Sequence, residues 1–323
     1  MRIKIASFNI NNLSLATNKN LDRIAKIIND NDIDLIAMQE VLAEGRAISG
    51  INVANGMKFS LLRRLKGKWE MSWGAPIDRA SNSSYLGNDK RGEGYAFLWK
   101  TDKFTFPKDI NGNDIVPQIY SNYHVNNENG QMRLIRDPFY GRFKVKGARV
   151  ELRLLTTHIL YGKPSGLEID AGAISMRKNE FNILAGKIYP RVNEYYKTIE
   201  SVVPYTIILG DYNLNLKSSA AIGPSIPDVC CFDNRGNLLE DNNSNFKIYT
   251  VQNELTTLKL KDEGYANNYD HFSFDERVYN ELVQNVYRID AVRQTQKNNI
   301  KKIFDDYKNE VSDHVPIVIE LQF

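Results

Sequence analysis

The stretch IILGDYNLN at residues 207–215 runs an apolar segment and a glycine into Asp211, Asn213 and Asn215. Alternate residues of a strand face the same way, so Asp211 and Asn213 share a side; Asn215 shares the parity but reads as loop. Other strand-like runs also end in residues that a core has no use for. IKIASF ends at Asn9, DLIAMQ at Glu40 and RLLTT at His158. Two further runs carry such residues at their starts: Asp270 in NYDHFSF, and Asp313 and His314 just before VPIVIEL. Carboxylates and imidazoles gathered at one sheet edge are costly unless they bind something. Oxygen donors from Asp, Glu and Asn with little sulfur suit a hard cation such as Mg²⁺ or Mn²⁺. Each motif alone has a plain structural reading, an Asx turn for GDYN or a surface turn for SDH. Their conjunction is far more specific, and two of the chain's 4 histidines fall within it.

The elements that must position these residues follow from hydrophobic spacing. Strands are predicted at 2–8, 33–39, 95–100, 149–158, 205–210 and 315–321. In 20–30 the apolar residues Leu21, Ile24, Ala25 and Ile28 fall at helical spacing, with Asn20 placed to cap. A second helix is predicted over 173–192 on the stripe Ile174, Phe181, Leu184 and Ile188, ended or kinked by Pro190. Helices between strand pairs imply an α/β (α+β) chain of layered sheets covered by helices. No repeat and no linker divides it, so 1–323 is expected to be a single domain with loop insertions near 105–135 and 215–250.

Composition narrows the class. With 42% hydrophobic and 25% charged residues the chain can bury a substantial core. A net charge of +3 does not by itself identify a nucleic-acid partner. The basic run SLLRRLKGKW at 60–69 reads as solvated loop. The only two cysteines, Cys230 and Cys231, are neighbours, which excludes an ordinary disulfide between them and implies no metal-ligand spacing. The N-terminus MRIKIASFNI reads as a strand rather than a signal peptide, and no apolar run reaches transmembrane length. Cytoplasmic location without membrane insertion is the default, with export by a non-Sec route left open.

The set SFNIN, MQEV, TTH, GDYN, NYDHF and SDHVP, in that order from Ile3 to Leu321, resembles the endonuclease/exonuclease/phosphatase superfamily and its DNase I-like branch. The resemblance implies a four-layer αββα sandwich of two mostly antiparallel or mixed sheets flanked by helices. Two further segments favour the branch. RGEGYAFLWKTDKF at 91–104 looks like the family strand whose glutamate partners the first histidine, which points to Glu93. LIRDPFYGRF at 134–143 resembles the segment whose arginine contacts substrate phosphate, which points to Arg136. YRIDAV at 287–292 resembles the arginine–x–aspartate strand of apurinic endonucleases, making Asp290 a competitor of Asp270; the alternation after Asn-x-Asp favours Asp270. The chain also departs from the DNase I pattern. Leu42 stands where that branch has a groove-entering arginine, and the groove-stacking tyrosine near Arg91 is missing.

The implied chemistry is metal-assisted phosphodiester hydrolysis by an endonuclease acting on DNA. Glu40 is the principal metal ligand, helped by Asn9 and Asp313, with Asp211 available to a second ion. His158 and His314 form the acid–base pair, oriented by Glu93 and Asp270; which of them deprotonates water stays open. Asp211 positions or activates water and Asn213 donates to the transition-state phosphate. The protein is expected to be a monomer, with an inhibitor or immunity partner unspecified. Fold does not decide substrate, so a sphingomyelinase-like phospholipase or an inositol-phosphate phosphatase is the rival enzyme. A catalytically inactive nucleic-acid-binding module is the rival of another class. MSWGAPI at 71–77 is the only candidate lipid-binding edge and reads as a strand edge.

Overall fold

Alternation in the first strand decides what each face of the molecule carries. Ile3 and Ile5 belong to one buried cluster, while Ala6, Phe8 and Ile10 belong to another on the opposite side. The computed structural model describes residues 1–13, 19–44, 60–76, 91–121, 123, 125–127, 130–132, 134–161, 167–195, 202–239, 246–297 and 301–323. In chain order the strands are β1 (Arg2–Leu13), β2 (Leu35–Glu44), β3 (Trp69–Gly74), β4 (Arg91–Lys100), β5 (Phe104–Thr105), β6 (Gln118–Ile119), β7 (Val125–Asn127), β8 (Gly130–Met132), β9 (Phe139–Val145) and β10 (Val150–His158). They continue as β11 (Val203–Asp211), β12 (Asn215–Leu216), β13 (Ser225–Ile226), β14 (Val229–Phe232), β15 (Leu238–Leu239), β16 (Phe246–Val251), β17 (Asp270–Asp275), β18 (Val283–Arg288) and β19 (Ile317–Gln322). The helices are α1 (Leu21–Asp30), α2 (Leu167–Ile183), α3 (Tyr189–Tyr195), α4 (Glu276–Glu281), α5 (Ala291–Gln294) and α6 (Ile303–Glu310).

Two mixed sheets result. The first has 6 strands in the order β18–β19–β1–β2–β4–β3. The second has 9, running β15–β14–β16–β17–β11–β10–β9–β5 with β6 also on β9. Between them pack Ile3, Ile5, Leu35, Ala37 and Phe97 of the first sheet and Phe139 and Phe143 of the second. Phe97 stacks on Phe139 with centroids 5.1 Å apart, joining the two layers through aromatic contact. The outer face of the first sheet (Phe8, Ile36, Met38, Leu98) is covered by Ile24 and Ile28 of α1, Val292 of α5 and Tyr307 of α6. Phe181, Leu184, Ile188 and Val192 of the α2–α3 arm and Val278 of α4 pack with the second sheet. Helix, sheet, sheet and helix therefore stack as the four expected layers.

The strands read from the sequence are all present, and Asn20 caps α1 by accepting the Arg23 N–H at 3.1 Å. Three expectations need correcting. Pro190 does not end the long helix. A π-turn at Leu184–Ile188 lies just ahead of it, and the helix continues through Pro190 to Tyr195. The segment 215–250 is not only loop: β14 and β16 extend the second sheet at its β17 edge, and Asn215 is a buried strand residue. Its alternation was obscured by the Asn- and Gly-rich turns between short strands. The basic run at 60–69 is not simply a solvated loop: its cations Arg63, Arg64, Lys66 and Lys68 are exposed, but Leu61, Leu65 and Trp69 are buried in the core beside α1. Cys230 and Cys231 are free thiols. Among the described residues no helix is long and apolar enough to cross a membrane.

Candidate functional site

Strand direction explains why some polar residues end their strands and others begin them. β1 and β2 pair in parallel, as do β10 and β11, so Asn9, Glu40, His158 and Asp211 come from the C-terminal halves of strands that run together. β17 runs antiparallel to β11 and β19 antiparallel to β1, so their residues at the same edge must come from the strand starts. Asp270 faces Asp211 in register, and His314 lies just ahead of β19.

Glu40 reaches this edge through a defect in its strand. Leu35, Ala37 and Gln39 of β2 face the second sheet, whereas Ile36 and Met38 face the helices. By parity Glu40 would face the helices as well. Instead the β2–β4 register shifts between Gln39 and Val41, leaving Glu40 as the extra residue of a bulge with φ 58°. The bulge turns its carboxylate inward, where Oε1 accepts from Asn9 Nδ2 at 3.0 Å. Gln39, just before it, bridges the sheets by donating to Thr156 Oγ1 at 2.8 Å and Ser7 Oγ at 3.2 Å.

The two histidines converge on one carboxylate oxygen. His314 Nδ1 meets Asp270 Oδ2 at 2.8 Å, and its Nε2 lies 3.6 Å from Asp211 Oδ2. His158 Nδ1 is hydrogen-bonded to Glu93 Oε1, and its Nε2 lies 3.7 Å from the same Asp211 oxygen and 3.9 Å from Glu40 Oε1. Asn9 Nδ2 also donates to Asp211 Oδ2, at 3.0 Å. Each imidazole thus has a carboxylate behind its Nδ1 and presents Nε2 to a common centre. Burial alone would lower both histidines, but the carboxylates outweigh it. Glu93 raises His158, and Asp270 with Asp211 holds His314 well above the ordinary imidazole value. Burial pushes Glu40 up, with the neighbouring charges of Glu93 and Asp313 acting in the same direction.

Asp313 is half-buried, and its charge acts on both Glu40 and Lys19. Lys19, which its position in the sequence did not single out, brings an ammonium to this acidic side; burial lowers it while Asp313 and Glu40 pull it back up. Ser312 is a second such residue: its hydroxyl donates to the Asn9 carbonyl at 2.7 Å and accepts the His314 N–H at 3.0 Å, tying β1 to the His314 turn. Glu40, Asp211 and Asp313 with the Asn9 amide make an oxygen-rich donor set of surplus negative charge, which fits a hard divalent cation. Among the described residues no three His, Cys, Asp or Glu side chains are already drawn together tightly enough to hold one.

Arg136 lies behind His158 rather than in front of it. Its Nη1 donates to Glu93 Oε1 at 2.8 Å and lies 3.0 Å from His158 Nδ1, and the side chain is buried. This position suits holding the His158–Glu93 pair, a contact that the phosphate-binding role expected from the sequence did not include. Below it, buried Glu180 of α2 accepts the backbone N–H groups of Ile135 and Leu160, clamping the Arg136 segment and the chain leaving His158. Burial, partly offset by those bonds and by Arg136, pushes Glu180 up to about 7 from 4.5. Its folded value lies above its unfolded one, so its contribution is whole below the unfolded value and is lost as pH rises through the folded value. The limit of that loss is about 3 kcal/mol. Denaturant titrations of wild type and Glu180→Gln should therefore show wild type losing stability relative to the variant between roughly pH 5 and pH 8. A pH-independent difference would mean that Glu180 is not protonated in the folded state.

Asn213 leaves the strand through an Asx turn. Its N–H donates to Asp211 Oδ1 at 2.8 Å, its φ is 51°, and its Nδ2 donates to the Ile159 carbonyl at 2.7 Å. The amide therefore joins the ends of β10 and β11 at the site's margin. Gly210, ahead of Asp211, has φ 145°, and a Cβ there would stand 2.0 Å from the Thr157 carbonyl oxygen. Gly210→Ala must either part the strands carrying His158 and Asp211 or fail to fold. A stability loss of at least about 3 kcal/mol is expected in urea denaturation.

Asp290 is outside the cluster. It caps α5, pairs with Arg293 at 2.6 Å and accepts the Tyr265 hydroxyl at 2.6 Å. Leu42 is buried and stands opposite Glu93 in the β2–β4 ladder. The side chain of Arg91, beside the expected groove position, lies outside the described residues. Trp69–Gly74 forms the edge strand read from MSWGAPI, and Ile77 lies outside the described residues.

Residues 6–137 match the model of the Endonuclease/Exonuclease/phosphatase family. No curated protein matches the chain by sequence. Over the whole length the fold is that of solved proteins of this class. TDP2 from D. rerio, complexed with single strand DNA product, is 12% identical, with 100% of this chain and 99% of that chain covered at a TM-score of 0.52. An endonuclease/exonuclease/phosphatase family protein from Bacteroides thetaiotaomicron is 14% identical, with 99% and 95% covered at 0.53. ANGEL2, a 2',3'-cyclic phosphatase in complex with adenosine-2',3'-vanadate, is 14% identical, with 99% and 95% covered at 0.52. The resemblance to the endonuclease/exonuclease/phosphatase superfamily holds, and the architecture is its DNase I-like sandwich.

Proposed function

We propose that this chain is a divalent-metal-dependent phosphodiesterase that cleaves DNA as an endonuclease, working as a single-domain monomer. The observation that carries the reading is the pair of imidazoles, each backed by its own carboxylate, with both Nε2 atoms 3.6–3.7 Å from Asp211 Oδ2. A phosphodiester bound there would have one imidazole available to take a proton from water and the other to give one to the leaving oxygen. Asp270 and Glu93 keep Nδ1 protonated, stabilise the imidazolium and aim Nε2 at the substrate. Asp211 orients the attacking water between the histidines. Glu40, Asn9 and Asp313 would hold Mg²⁺ or Mn²⁺, which supplies Lewis-acid stabilisation of the phosphate. Asn213, at the margin, is in position to support the transition state only through the loop that it pins.

The retention of Asn9, Glu40, His158, Asp211, Asn213, Asp313 and His314 together argues against an inactive binding module. Supercoiled plasmid should be nicked with Mg²⁺ or Mn²⁺, left intact with EDTA, and left intact by Glu40→Ala under all three conditions. Binding without cleavage in any metal would favour the inactive module. Failure on DNA with cleavage of RNA, phospholipid or phosphoinositide would replace the substrate while leaving the hydrolytic centre in place.

A further inference from the structure

Beside the catalytic candidates stands an aromatic surface to which the hydrolytic chemistry gives no task. Tyr161 follows His158 by three residues and is 48% exposed. The Arg177 guanidinium carbon sits 4.9 Å from its ring centroid, within cation–π range. Arg177 comes from α2, is buried, and donates Nη1 to the Asn213 carbonyl at 2.7 Å, so the cation under the ring is fixed to the GDYN turn. Buried Tyr269, next to Asp270, flanks Tyr161 with centroids 6.4 Å apart and planes inclined at 41°. Its carbonyl accepts the Tyr212 N–H at 2.8 Å, so it too is held to the strand end that carries Asp211.

Each member of this group is therefore tied, within three residues, to a member of the catalytic cluster. Three extended residues span at most about 10 Å, close to the reach from a phosphate to the base of its own nucleotide. Tyr279 is a comparably exposed aromatic among the described residues, but its ring is stacked on Tyr249 at 4.9 Å and 6°. Tyr161 instead has a cation fixed against it and remains open to solvent.

Resting on the phosphodiesterase reading, we propose that Tyr161, backed by Arg177 and flanked by Tyr269, is a stacking platform for one nucleobase next to the scissile phosphate. A base inside a continuous duplex has both faces covered by its neighbours, so the base on Tyr161 is one that is unpaired or at a strand end. Stacking on an aromatic ring accepts any base, and the platform gives strand-state preference rather than sequence preference.

The test is a short single-stranded DNA carrying 2-aminopurine, whose fluorescence is quenched on stacking, titrated in EDTA and in Ca²⁺ against wild type, Tyr161→Ala and Tyr161→Trp. Wild type and Tyr161→Trp should quench, and Tyr161→Ala should lose quenching and bind about tenfold or more weakly. An abasic residue in place of the probe should erase the difference between wild type and Tyr161→Ala. Equal quenching and affinity in wild type and Tyr161→Ala, or no binding by wild type, overturns the platform. Because binding is read without turnover, a platform that quenches but a wild type that never cleaves would count against the phosphodiesterase reading alone.

Discussion

Glu40→Ala and Glu40→Gly are both expected to fold and to lose at least a thousandfold in turnover with Mg²⁺ present, and Glu40→Gly is expected to be the more stable of the two by about 1 kcal/mol. The activity loss follows from the position of the carboxylate. Its Oε1 lies 3.0 Å from the Asn9 amide and 3.9 Å from His158 Nε2, on the side where Asp313 adds further negative charge. Asp211 Oδ2 makes the same two approaches, at 3.0 and 3.7 Å, so the two carboxylates frame the Asn9 amide together. The stability ordering follows from the backbone. Glu40 occupies the left-handed region at φ 58°, which disfavours every residue with a Cβ and suits glycine. Alanine keeps that strain and glycine releases it. The local strain and the half-buried carboxylate are both costs that the surrounding structure bears to keep an acidic group at this edge. Plasmid nicking and urea denaturation of the three proteins check both halves. Near-normal turnover in Glu40→Ala removes Glu40 from the site, and a Glu40→Gly protein less stable than Glu40→Ala removes the strain argument.

The bulge also marks the boundary of what strand patterning can reveal. Asn9 and His158 were readable because a polar residue closes an otherwise apolar run, and the parallel pairing brings such closures together. Glu40 was readable as a polar ending, but parity alone assigns it to the wrong face, because β2 is apolar on both sides and conceals which alternation continues. Residues whose partners lie far away in sequence left even less signal. Ser312 and Glu180 bind distant backbone, Lys19 acts by charge on Asp313 and Glu40, and nothing in their neighbours announces those partners. The motif points to Arg136 as a phosphate contact, yet a motif gives no depth: Arg136 lies under the His158 imidazole, fastened to Glu93. The strands β14 and β16 escaped notice because short strands between Asn- and Gly-rich turns carry too few alternations to distinguish them from loop.

Asp270 and Asp290 separate in the same way, and the difference between them should be large. Asp270→Asn is expected to lose on the order of a hundredfold to ten-thousandfold in turnover, whereas Asp290→Asn should retain nearly all of it. Asp270 is fully buried, and its Oδ2 meets His314 Nδ1 at 2.8 Å. Asparagine preserves the volume but removes the charge that opposes the desolvation of His314, so the imidazolium would persist only at lower pH. Any remaining activity in Asp270→Asn should therefore shift toward acid pH, a change that simple misfolding would not produce. Asp290 serves the start of α5 instead, and asparagine caps a helix nearly as well as aspartate, so its replacement should cost little stability, the lost Arg293 pair being solvent-screened. Rate against pH for the two variants decides between them. Unchanged turnover in Asp270→Asn with a collapse in Asp290→Asn would mean that His314 takes its partner from the segment after β18, and that the edge built by β11 and β17 is not the catalytic one.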